Sequence, residues 1–118
     1  MVRKSGRHTA AFLLLFLAKS PAYGNQLLSQ MQRKLPFCLA DSASVYRTLQ
    51  EMEDNGWVET RWESCPTGQP RKWYHITVTG RKALETEALD IRQRLANFEY
   101  FLHQYANFGP GDPGGPGR

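Results

Sequence analysis

Cysteine is scarce: Cys38 and Cys65 are the only two, with no CxxC between them. That excludes a disulfide framework and a four-thiolate zinc site within one chain, and suits two free thiols in a reducing compartment. Histidine is equally sparse, with His8, His75 and His103 in three separate parts of the sequence and no HExxH spacing. There is no GxSxG, no P-loop and no dinucleotide fingerprint, so nothing points to an enzyme, a metal or a cofactor. Long apolar runs are missing too. The longest, Ala10–Ala18, is too short to span a membrane as a helix. With Arg3, Lys4 and Arg7 before it and Ser20-Pro21-Ala22 after it, this run imitates a secretory signal. Pro21 fits a cleavage region poorly, however, and the chain leads straight into another helical pattern. Residues 8–19 are therefore expected to form a buried helix, and the chain to be cytoplasmic without a membrane partner.

What is present fits one small globular domain. Across 118 residues, 41% are hydrophobic and 22% charged, values that exclude wholesale disorder. A core of this size is thin, so help from a second chain is expected. The net charge of +4 is modest, and its distribution is more informative. Residues 1–82 carry twelve Lys/Arg against six Asp/Glu, and residues 83–118 carry three against five. Such asymmetry suits an anionic partner at one end and a different task at the other.

Apolar periodicity divides the chain into elements. After the first helix, Leu27, Leu28, Met31 and Leu35 follow a helical spacing that Pro36 ends. Asp41 or Ser42 can cap a third helix with the stripe Val45, Leu49 and Met52, closed at Asn55-Gly56 by a left-handed glycine. The period then changes. Trp57–Trp62 and Arg71–Ile76 are rich in β-formers and alternate, with the turn-rich segment 63–70 between them, which reads as a β-hairpin with a long tip. The aromatic side chains Trp57, Trp62, Trp73 and Tyr74 are expected in its core. Thr77 caps a last helix that continues to about Phe108, roughly 45 Å at ~1.5 Å per residue. The segment Gly109–Gly117, all glycine, proline and one aspartate, reads as a flexible tail.

The fold class is thus mainly α with a small β-hairpin: a winged helix-turn-helix plus a long C-terminal helix. The expected organisation is a basic arm (1–7), a winged-helix DNA-binding domain (8–77), a dimerisation helix (78–108) and a tail (109–118). On a helical wheel, Ala43, Arg47, Gln50 and Asp54 oppose the apolar stripe of helix three, and Ser44 and Tyr46 flank that outer face. Its N-terminal half is small, hydroxyl-bearing or cationic, and suits a DNA major groove. Its C-terminal half carries Glu51, Glu53 and Asp54, which repel phosphate, so insertion by the N-terminal end is expected. At the hairpin tip, Arg71 and Lys72 are placed to neutralise phosphates.

The last helix carries a second signal. Leu84, Ala88, Ile91, Leu95, Phe98, Leu102 and Tyr105 alternate steps of four and three, a coiled-coil seam about three heptads long. The stripe either packs on its own domain or joins a second copy. The helix overhangs so small a domain, which favours a two-fold homodimer with its reading helices about one turn of DNA apart. The aromatic end of this helix either completes dimer packing or lines a pocket, built on Phe98, Phe101 and Tyr105, for a small flat aromatic effector.

Taken together, these segments resemble the PadR family of bacterial transcriptional regulators, in its small subfamily with a single C-terminal helix. The matching stretches are Leu13-Leu14-Leu15, Pro21–Leu27, Ser44–Leu49, Met52–Gly56, Gly68–Tyr74 and Ile76–Gly80. The resemblance implies a dimeric repressor that contacts double-stranded operator DNA through helix three and the wing. By position it implies that Tyr23, Ser42, Ser44, Tyr46, Arg47, Arg71 and Lys72 are the DNA contacts. The family often has glycine where this chain has Ala43, a difference that bears on how closely the helix approaches the duplex. The rival reading is a winged helix used for protein–protein contact without specific DNA binding. It requires that replacing Arg71 and Lys72 leave function unchanged.

Overall fold

A computed structural model describes residues 8–38 and 40–108. The expected basic arm and glycine–proline tail lie outside the described residues. The chain divides into two units, one reaching Glu87 and the other starting at Ala88.

The first unit is built on α1 (Thr9–Lys19), whose Leu13, Leu14, Phe16 and Leu17 are buried. Each fully buried leucine contributes ~2 kcal/mol, and Leu13 and Leu14 lie at the centre. The helix stops at Ser20, whose extended backbone donates its N–H to the Phe16 carbonyl before Pro21. A two-residue strand, β1 (Ala22–Tyr23), follows at once and leads into α2 (Gly24–Lys34). The Gln26 side chain turns back to accept the Tyr23 N–H at 3.1 Å, satisfying one of the donors that a helix start exposes.

The third helix, α3 (Ser42–Asp54), is capped by Asp41, whose carboxylate accepts the Ser44 N–H at 2.9 Å. Its stripe of Val45, Leu49 and Met52 is fully buried against α1 and α2. Gly56, at φ 77°, closes the helix in the left-handed conformation, and the Trp57 N–H reaches back to the Met52 carbonyl at 2.9 Å. Strands β2 (Val58–Glu63) and β3 (Arg71–Ile76) then form an antiparallel hairpin, in register from Val58 opposite Ile76 to Glu63 opposite Arg71.

Two features differ from the sequence reading. The sheet has three strands in the order β1-β3-β2, because Ala22 and Tyr23 pair with Tyr74 and Trp73. Two residues are too few to show alternation, so β1 is invisible as a pattern. Trp62 is also not core: it is 67% exposed, whereas Tyr74 is buried and Trp57 and Trp73 are half-buried. Period two puts Trp62 on the same face as Val58, but β2 runs past the edge of the core before reaching it.

Thr77 joins the hairpin to α4 (Val78–Phe108). Its hydroxyl accepts the Gly80 N–H at 3.0 Å and donates to the Gly56 carbonyl at 2.7 Å, while its own N–H bonds to the Trp57 carbonyl at 3.0 Å.

Burial raises the pKa of the Tyr74 hydroxyl above its ordinary 10.0, against the opposing charge of Lys72. A raised folded-state value means the folded chain holds this proton more tightly than the unfolded one. The contribution is therefore complete below about pH 10 and is lost as pH rises through the folded value. Urea midpoints followed from about pH 8 to about pH 11 should fall at the alkaline end, and Tyr74→Phe should flatten that part of the fall.

Candidate nucleic-acid interface

The exposed side of α3 begins at its capped N-terminus. Ser42, Ala43, Tyr46, Arg47 and Gln50 are all exposed there, and Gln50 donates to the Asp54 carboxylate at 3.0 Å. Ser44 is a correction. It is 3% exposed, because it sits one residue before Val45 on the buried side of the first turn. Its hydroxyl donates to the Asp41 carbonyl at 3.4 Å, and its own carbonyl accepts from Thr48 at 2.8 Å. Ser44 therefore builds the cap and does not present a hydroxyl to a ligand.

Tyr46 lies against the start of α2. A side chain at Gly24 would strike its ring, with the phenol oxygen 2.7 Å from where a Cβ would stand. Glycine at this position lets α2 and α3 approach closely enough for the α2 N-terminus to adjoin the exposed face of α3. The close approach could have been suspected from Tyr23-Gly24 at a helix start, but its partner in α3 could not.

The two adjacent wing cations part company, because neighbouring strand residues face opposite ways. Arg71 is exposed, with its guanidinium 4.8 Å from the centre of the Tyr23 ring, and Tyr23 meets Trp73 edge-on at 5.2 Å. Trp73 in turn donates to Glu63 at 2.7 Å. Lys72 points to the other side and pairs with Glu53 of α3 at 3.2 Å, and Glu53 also accepts from Thr60 at 3.1 Å. The expectation of two cations side by side at the tip is thus corrected: Lys72 braces the hairpin against α3. An open concavity of about 770 Å³ beside Tyr23 and Trp73 is lined along α2 by Gln26, Arg33 and Lys34, which extends the cationic surface.

Along α4 the seam residues divide. Leu84 is half-buried against the core of the first unit. Ala88 is exposed and Ile91 half-buried, and Leu95, Phe98, Leu102 and Tyr105 are each about half exposed or more. Phe98 and Phe101 are exposed rings, and Phe101 stacks on Tyr105 with centroids 6.3 Å apart. Both cysteines are free thiols, and no described helix is long and apolar enough to cross a membrane.

Comparisons with known proteins agree with this geometry. Residues 13–86 match the model of the transcriptional regulator PadR-like family. A crystal structure of a PadR family transcription regulator from Clostridium difficile superposes with a TM-score of 0.70 at 22% identity, covering 81% of this chain and 99% of that one. A PadR-like transcriptional regulator from Bacillus cereus gives 0.66 at 24% identity, covering 80% and 91%. Bacillus subtilis PadR in complex with operator DNA gives 0.63 at 25% identity, covering 68% of this chain and 46% of that one. No curated protein matches. With the family's pattern running from α1 into α4 and the same fold in its solved members, this chain belongs to the PadR-like family of transcriptional regulators.

Proposed function

We propose that the protein represses transcription by binding an inverted-repeat operator as a homodimer. The observation that carries this reading is that α3, with its exposed N-terminal face, is fixed to the wing at its last turn, where Glu53 holds Lys72 and Thr60. Ser42, Tyr46 and Arg47 would meet the major groove, with Arg71 and Tyr23 at the flanking backbone. The dipole of α3 favours phosphate at its N-terminus, and Glu51 and Asp54 keep its far end away. Support for a duplex as partner comes from the Bacillus subtilis PadR solved with operator DNA. Two copies joined along Ala88, Ile91, Leu95, Phe98, Leu102 and Tyr105 would present two such faces, and the repeat they cover would be closed to polymerase. Phe98, Phe101 and Tyr105 would lie at that interface, where a small planar aromatic effector could stack between subunits and alter the spacing of the two reading helices.

The test is selection of duplexes from a random pool at near-physiological salt. An enriched inverted repeat is expected. Binding at low salt alone, without enrichment, would leave electrostatic background and sink the reading.

The two wing cations should behave differently on the selected duplex. Arg71→Ala is expected to reduce the slope of log affinity against log salt by about one. Lys72→Met would leave Glu53 unpaired and loosen the joint between α3 and the wing, so it should weaken binding without a matching loss of counterions. The double change Glu53→Gln with Lys72→Met should then recover part of that loss. Equal slopes for Arg71→Ala and the wild type would remove Arg71 from the interface.

A further inference from the structure

We propose that Trp62 is a DNA-contacting residue of the wing, its indole packing against the sugars of the minor groove next to the major groove entered by α3. This inference rests on the operator-binding reading and extends it to a side chain that the family resemblance does not place among the contacts. Trp62 is 67% exposed, although it lies on the face of β2 that bears the buried Val58. Directly opposite it on β3 is Lys72, whose ammonium stands 5.9 Å from the indole centre. Lys72 is in turn bonded to Glu53 of α3, so the face of the wing that carries Trp62 is the one turned toward α3.

The charges on the two faces of the hairpin point to the occupant. Strand alternation puts the carboxylates Glu59 and Glu63 on the reverse face, together with Arg61, Arg71, Trp73 and His75. On the Trp62 face the strands contribute Val58, Thr60, Trp62, Lys72, Tyr74 and Ile76, with no carboxylate of their own. Glu53, the acid that reaches this face, is already neutralised by Lys72. The strands of this face therefore offer an approaching duplex the indole and no carboxylate of their own. A ribbon entering a groove edge-on meets both walls, Arg71 serving one and Trp62 the other. Apolar side chains at such positions act as wedges that favour deformable base steps, so this contact would read shape and not base edges.

The test uses the full-length protein and the inverted repeat obtained by selection. Trp62→Ala is expected to weaken binding to that duplex roughly tenfold, and Trp62→Phe to retain most of it. Preference among flanking base pairs should flatten in Trp62→Ala while the preference within the half-sites persists. The wild-type intrinsic fluorescence should change when the operator is added, and Trp62→Phe should remove most of that change, leaving the part from Trp73 beside Tyr23. If the wild type selects an inverted repeat but Trp62→Ala matches it in affinity and flanking preference, the inference fails and the operator reading stands. An emission shift on protein concentration without DNA would assign the indole to a second copy of the chain and likewise overturn it. If no duplex is selected, both fall together.

Discussion

Leu102→Glu is expected to separate the proposed homodimer into monomers while leaving the winged-helix unit folded. Leu102 is 61% exposed in the single chain and lies at the centre of an aromatic stretch between Phe98 and Tyr105. A carboxylate there would be buried without a partner in any paired seam, a cost that association cannot absorb. It lies in the unit that begins at Ala88, whereas the core of α1, α2, α3 and β3 lies in the other. Thermal unfolding of the winged helix should therefore be little changed, and sedimentation should report half the mass. Because the second half-site is bound as an intramolecular event only in a dimer, operator affinity should fall by roughly 100-fold. Gln93→Glu, on the opposite side of the helix, is the control and should leave both properties intact. A Leu102→Glu protein that remains dimeric would mean that the seam does not hold the two copies together.

Gly80→Ala should unfold the winged helix more readily than any surface change. A Cβ at this position would run into the Trp57 carbonyl oxygen, and would stand 2.8 Å from a methylene of Ile76. The obstacle is backbone, already fixed by the Thr77 N–H on that same carbonyl and by the Thr77 hydroxyl on Gly56. Neither side can give way without breaking the joint between the end of α3, the hairpin and α4. A cost of about 3 kcal/mol is expected, which for a unit of this size lowers the melting temperature by roughly 15 °C. Helix propensity alone would make the same change stabilising. A Gly80→Ala protein that melts at or above the wild-type temperature would thus show that the close approach at Trp57 does not exist.

Much of this architecture was legible because its signals are local. Val45, Leu49 and Met52 recur at helical spacing, Asp41 precedes them as a cap, and Asn55-Gly56 ends the helix, so α3 could be bounded from its own residues. The change to alternation after Gly56 announced the hairpin in the same way. What escaped depends on partners distant in sequence. Tyr23 pairs with Trp73 in a strand too short to alternate, and Gly24 owes its identity to Tyr46. At the interface, Arg71 and Lys72 looked alike as adjacent cations. The pleat separates them, and only the position of Glu53 reveals that one is a brace. Ser44 shows the opposite limit, since a hydroxyl in the first turn of a helix serves equally as a base contact or as part of the cap. Which role it takes depends on the wheel angle at a helix end, where the first turn is least well defined by periodicity. Leu84 fits the seam by spacing, but its own core holds it.

Hydroxyl-radical cleavage of the selected operator, with and without the protein, tests the central claim most directly. Two dyad-related patches of protection should appear about one helical turn apart, each with a major-groove region faced by α3 and an outer flank faced by the wing. Arg71→Ala should restore cleavage at the outer flanks and leave the inner protection in place. A single patch, or uniform protection along the duplex, would contradict a dimeric winged helix that reads two half-sites.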